Sequence, residues 1–147
     1  MKKTMLTGIL IISLASCSSA QKSEKEKKDG KIPAVVENAF KNKYPNAKDV
    51  DWEKEGANYE AGFEAGKTEI SVVIDPNGKI LETETEMKAS ELPKNIQDYI
   101  AAHYKGQKVK EAAKIVHADG TVQYEAEVNK KDLIFSKNGE FVKEIRK

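Results

Sequence analysis

One pattern occurs twice in this chain, about sixty residues apart, and a duplicated pattern restricts the fold to two copies of one small unit. Ile32-Pro33 is answered by Leu92-Pro93, and at the same spacing Val36 is answered by Ile96, Phe40 by Ile100 and Tyr44 by Tyr104. Farther along, Tyr59-Glu60-Ala61 is answered by Tyr124-Glu125-Ala126, and Asn77-Gly78 by Asn138-Gly139. The spacing drifts slightly at turns, where chains tolerate insertions.

Each copy opens with a helix. Val36, Ala39, Phe40 and Tyr44 recur at helical spacing, as do Ile96, Tyr99, Ile100 and Tyr104. Pro33 and Pro93 suit the first helical turn, where a missing N–H costs little. Pro45 and Gly106 end the helices. Strands follow. Val50 and Trp52 alternate with charged residues, and Tyr59, Ala61 and Phe63, then Ile70, Val72 and Ile74, alternate with polar or small residues. Asp75-Pro76-Asn77-Gly78 is a strong turn signal, with Ile80 to Met87 returning. In the second copy Ala113 to His117 meets Ala118-Asp119-Gly120, and Val122, Tyr124, Ala126 and Val128 alternate with polar partners. Leu133 to Phe135 then runs through Ser136-Lys137-Asn138-Gly139 to Phe141–Ile145. The pattern predicts an α+β fold of two tandem repeats, 32–88 and 89–147. Each is a helix followed by about four antiparallel strands, with both helices on one face of the sheet.

The first thirty residues follow different rules. A basic start, Met1-Lys2-Lys3, precedes an apolar run over Met5 to Ala15 that is too short to span a bilayer. That is the pattern of an export signal. Leu14-Ala15-Ser16-Cys17 resembles the bacterial lipobox, so residues 1–16 are expected to be removed and Cys17 to carry the lipid. Cleavage after Ala20 is the alternative. An acylated cysteine would hold the chain on a membrane, at about 0.8 kcal/mol per buried methylene. Residues 17–31 contain no large apolar side chain and are expected to be a solvated tether. Roughly 115 residues remain for folding, a modest single core. Cys17 is the one cysteine, so no internal disulfide can brace it. The 33% of charged residues balance to +1, which predicts a solvated surface rather than the one-signed field that nucleic acid binding needs.

The chemistry-bearing residues form no catalytic set. His103 and His117 lack partners at metal-ligand spacing, and both are expected to be surface residues. No Gly-x-Ser-x-Gly elbow and no phosphate-binding glycine loop occurs. Glu82, Glu84 and Glu86 share one strand face, as do Glu125 and Glu127, and the expectation is a solvated face rather than a calcium or acid–base site. No catalytic residue, metal or cofactor is therefore expected. Trp52, Tyr59, Phe63 and Tyr124 are the candidate binding surface, because Trp and Tyr often dominate interfaces. The competing assignment packs them under the helices.

The duplicated helix, Val50-Asp51-Trp52, Tyr59 to Phe63, Asp75-Pro76-Asn77-Gly78-Lys79, Tyr124-Glu125-Ala126-Glu127-Val128 and Asn138-Gly139 resemble the PepSY-like, beta-lactamase-inhibitor-like family of the Gram-negative envelope. The second copy lacks a tryptophan at the place of Trp52, where His117 or Ile115 lies nearby. The resemblance implies a non-catalytic protein- or peptide-binding module, inhibiting or regulating an envelope enzyme such as a peptidase. The alternatives are a structural or stress-related envelope lipoprotein without a tight partner, or a small-ligand carrier. The expected partners are an envelope protein or peptide and, through the lipid, the outer membrane, on its periplasmic or cell-surface side.

Overall fold

The computed structural model describes residues 31–146; the export signal, Cys17 and all but the last residue of the tether lie outside them. Helix α1 (Ala34–Lys43) leads into β1 (Asp51–Glu55), β2 (Asn58–Ala65), β3 (Thr68–Ile74) and β4 (Ile80–Met87). A single 3-10 turn at Ala89–Glu91 precedes α2 (Lys94–His103), which leads into β5 (Val109–His117), β6 (Val122–Val128), β7 (Lys131–Ser136) and β8 (Phe141–Arg146). All eight strands form one antiparallel sheet in chain order, with β1 and β8 at the edges. The two repeats are joined through β4 and β5, with Glu84 opposite Ile115.

Local chemistry explains the boundaries. Pro33 and Pro93 stand just before the first helical residue, and their carbonyls accept from the N–H groups of Val36 and Ile96 at 2.9 and 3.0 Å. The predicted position inside the first turn is off by one, since a proline carbonyl can cap where its nitrogen cannot donate. Asp75 Oδ1 accepts from the backbone N–H groups of Asn77 and Lys79, both at 2.9 Å, and locks the β3–β4 turn. Asp119 does the same for Thr121 at 2.8 Å.

Each helix buries one stripe against its own repeat. Val36 and Phe40 pack on Ala61, Phe63, Val72 and Ile74. Leu92, Ile96 and Ile100 pack on Ala112, Ala126, Val128, Leu133 and Phe135. Burying each large side chain contributes about 1.5–3 kcal/mol. The aromatic bulk is placed differently in the two copies. Phe40 meets Phe63 and Trp52 edge-on, at 5.3 Å in both cases. In repeat two Ile100 replaces Phe40, and the rings come from Tyr99, Phe135 and Phe141. The place of Trp52 is also settled by register. Trp52 pairs with Ala61 and Ala112 pairs with Ala126, so the counterpart of Trp52 is Ala112, not His117 or Ile115.

Three register shifts interrupt the ladders, at Val73/Ile74, Val109/Glu111 and Ile134/Phe135. The first and last are equivalent positions in the two repeats. Such irregularities bend a sheet and increase its twist.

Candidate functional site: the open sheet face

Strand alternation sorts every strand residue to the helix side or the open side. Tyr59, Ala61 and Phe63 lie under α1, so Glu60, Gly62 and Glu64 face the other way. Pairing carries this assignment across the sheet. The open side receives Asp51, Glu53 and Glu55 from β1, and Glu69, Ser71 and Val73 from β3. It receives Glu82, Glu84 and Glu86 from β4, and Glu111, Ala113, Ile115 and His117 from β5. Gln123, Glu125 and Glu127 come from β6, Asp132 and Ile134 from β7, and Lys143 and Ile145 from β8. The balanced overall charge therefore hides a segregated one. The solvated mixed surface expected from composition is, on this face, an acidic field.

The face is concave. Glu84 on β4 lies within the electrostatic reach of Glu60 on β2 and Asp132 on β7, and Glu82 within that of Lys143 on β8. In a flat sheet, strands three apart are separated by about 14 Å, so the strands must curl toward the open side. Curling buries what a flat face would expose. Glu60, Glu125, Glu127 and Asp132 are only 4–6% exposed, and Ile115 and Ile134 are fully buried. The expectation that Glu125 and Glu127 are solvated is corrected by this curvature.

Burial and like charge act together on the carboxyls. Burial, reinforced by Glu125, Glu82, Glu60 and Asp132, raises the Glu84 pKa to about 9. Burial also raises Glu60, opposed by a hydrogen bond from the Ser71 hydroxyl and reinforced by Glu55 and Glu53. Glu82 is raised by burial, with His117 and Lys143 opposing. Glu55 is raised by burial and by Glu82. His117 Nδ1 lies 3.2 Å from Glu82 Oε2, and its Nε2 lies 3.0 Å from Gln123 Oε1. His117 is thus half-buried within the acidic field, which the sequence did not indicate. His103 lies on α2, stacked on Tyr99 at 4.2 Å. Lys110 Nζ bridges Glu111 and Glu127, 3.2 Å from each.

The four aromatic candidates lie on the opposite side. Phe63 is buried under α1, and Trp52 and Tyr59 are half-buried around the same cluster. Tyr124 packs against the α2 cluster. They form no outward patch, because their alternation phase is that of the helix-covered residues. The signal that marks the open face is the opposite phase: Asp51, Glu53 and Glu55 on β1, Glu60 and Glu64 on β2, Glu82, Glu84 and Glu86 on β4, and Glu125 and Glu127 on β6.

On the helix side, a shallow cleft between the end of α1 and β4–β5 is lined by Tyr44, Ile80, Thr83, Val116 and His117. Among the described residues no three His, Asp or Glu side chains are gathered as a metal would need, and no helix is long and apolar enough to cross a membrane.

A family model described as beta-lactamase-inhibitor-like and PepSY-like matches the sequence twice, over residues 21–82 and 75–143. Among solved structures, a protein from Bacteroides eggerthii assigned to the periplasm is 21% identical with a TM-score of 0.73, over 79% of this chain and 89% of its own. A DUF2874 family protein from Bacteroides uniformis is 23% identical with a TM-score of 0.70, over 77% and 88%. A BLIP-like protein from Bacteroides fragilis is 27% identical with a TM-score of 0.64, over 77% and 84%. No curated protein matches the sequence.

Proposed function

Because the chain belongs to the PepSY-like, beta-lactamase-inhibitor-like family, we propose that it is a non-catalytic protein-binding module that docks its target on the open face of the sheet. The observation that carries this reading is the asymmetry of the sheet. Both helices cover one side, and the other is a continuous concave surface spanning both repeats. A concave face of this extent fits a protuberance or extended segment better than a small molecule. The family description and the BLIP-like relative support an inhibitor-type role, with an envelope enzyme such as a peptidase as the target class.

The leader adds the setting. Residues 1–16 direct export, Cys17 takes the lipid and the segment to residue 31 separates the module from the membrane. The module itself spans residues 32–147. The periplasmic assignment of the Bacteroides eggerthii relative accords with this placement, on the outer membrane.

A photo-crosslinking residue at Val73, on the open face, tests the proposal against one at Lys41, on the outer side of α1. Pull-down from native envelopes is expected to recover a discrete protein from the Val73 position alone. Equal recovery from both positions, or none from either, overturns it. Mass analysis of the membrane-extracted chain, with Cys17→Ala as control, reads the lipid directly.

A further inference from the structure

Thirteen of the 24 acidic side chains of this chain stand on the open face. Against them, among the described cations, only Lys143 occupies an inward strand position, with Lys110 reaching in from a bulge. Glu53 is directly opposite Glu60, Glu111 opposite Glu127, and Glu127 opposite Asp132. Like charges directly across a strand pair destabilise a sheet. Glu64 likewise stands opposite Glu69, so acidic residues face one another at four strand positions of this side. Beneath the carboxylates the strands are apolar: Ala113, Ile115 and Ile134 are buried, and Val73 is partly exposed. Acidic walls over an aliphatic floor match side chains that have a long hydrocarbon stem and a cationic head.

Building on the docking face proposed above, we infer that its occupant is a lysine- and arginine-rich segment of the target protein. The cationic heads pair with Glu55, Glu82 and Glu84, and a stem lies on the half-buried Val73. Mixed contacts of this kind favour fast, salt-sensitive association. Glu84 holds a proton at neutral pH when the face is empty, through burial and through the carboxyls of Glu125, Glu82, Glu60 and Asp132. An entering cation reverses that balance, so binding releases a proton.

The test uses the mature chain, a labelled oligo-arginine peptide and an oligo-glutamate control. Saturable binding of oligo-arginine alone is expected, weakening as salt rises. The double variant Glu82→Gln/Glu84→Gln is expected to weaken it by about tenfold or more. Glu37→Gln/Glu91→Gln, away from the open face, is expected to leave it unchanged. Calorimetry in two buffers of different ionisation enthalpy reads the released proton. Urea unfolding confirms that the Gln variants remain folded. The inference is overturned if the double variant binds as wild type, if binding is unsaturable, or if calcium alone occupies the face and the peptide does not. A partner crosslinked from Val73 that contacts the face through no basic segment overturns the chemistry inferred here while leaving the docking face standing.

Discussion

Replacing Glu84 by glutamine is expected to stabilise the protein, and increasingly so as pH rises. The Glu84 carboxyl has a folded-state pKa of about 9 against an ordinary value of 4.5. The folded state therefore binds its proton more tightly than the unfolded chain, and stability falls as pH climbs between those values. Each pH step above 4.5 costs about 1.4 kcal/mol, so on the order of 3 kcal/mol has been lost by pH 7 from this one group. Glu84 is partly exposed, and solvent screening reduces that to about 2 kcal/mol. Glutamine has the shape of the neutral acid and never ionises. The expected gain is near zero at pH 4, about 2 kcal/mol at pH 7 and larger at pH 9, which moves a urea midpoint by about 1 M at pH 7. Urea unfolding of both proteins at those three pH values is the assay. Wild type and variant curves that run parallel across the pH range would refute the reasoning, because they would mean that the carboxyl is ionised and solvated in the fold.

Other outcomes follow from the same structure. Ile96→Ala is expected to cost about 2–5 kcal/mol in urea unfolding, since the side chain is fully buried under α2 and the cavity cannot refill from solvent. Gly139→Ala is expected to cost about 2 kcal/mol. Its φ is +78°, and a methyl there meets the Asn95 amide, which donates to the Asn138 carbonyl at 2.7 Å. Oligo-arginine affinity is expected to fall as pH is lowered, because the raised pKa values of Glu55, Glu60, Glu82 and Glu84 bring on their protonation, and loss of charge, at a higher pH than for ordinary carboxyls. A pH-independent affinity measured by fluorescence titration would contradict this.

The duplicated helix and the antiparallel strands were legible because helical and strand periodicities leave different marks in sequence. Val36-Phe40 and Ile96-Ile100 repeat every four residues, and Tyr59-Ala61-Phe63 repeat every two. The joining of the repeats into one sheet was not legible. It depends on β4 pairing with β5 across α2, a contact that no local pattern encodes. That the four aromatic candidates pack on the helix side was not legible for a related reason. Aromatic residues serve interfaces and cores equally well, and only strand phase relative to the helices distinguishes them. Applied to glutamate, the same phase marks the open face: Glu60, Glu82, Glu84, Glu125 and Glu127 all fall on the side away from Val36 and Ile96. What phase cannot give is the curvature that turns a solvated row of carboxylates into a buried one, because that arises from bulges and twist accumulated over eight strands.

The two edge strands carry a further consequence. A second copy could extend the sheet by pairing β8 with β8, or β1 with β1, about a two-fold axis normal to the sheet. Such an axis keeps each face on its own side, so a pairing centred on mid-strand sets a residue against itself. For β8 that residue is Lys143 or Glu144, and for β1 it is Glu53. Like charge at the centre opposes each pairing by about 0.2–1 kcal/mol. Copies that meet edge to edge are thereby disfavoured from growing into ribbons.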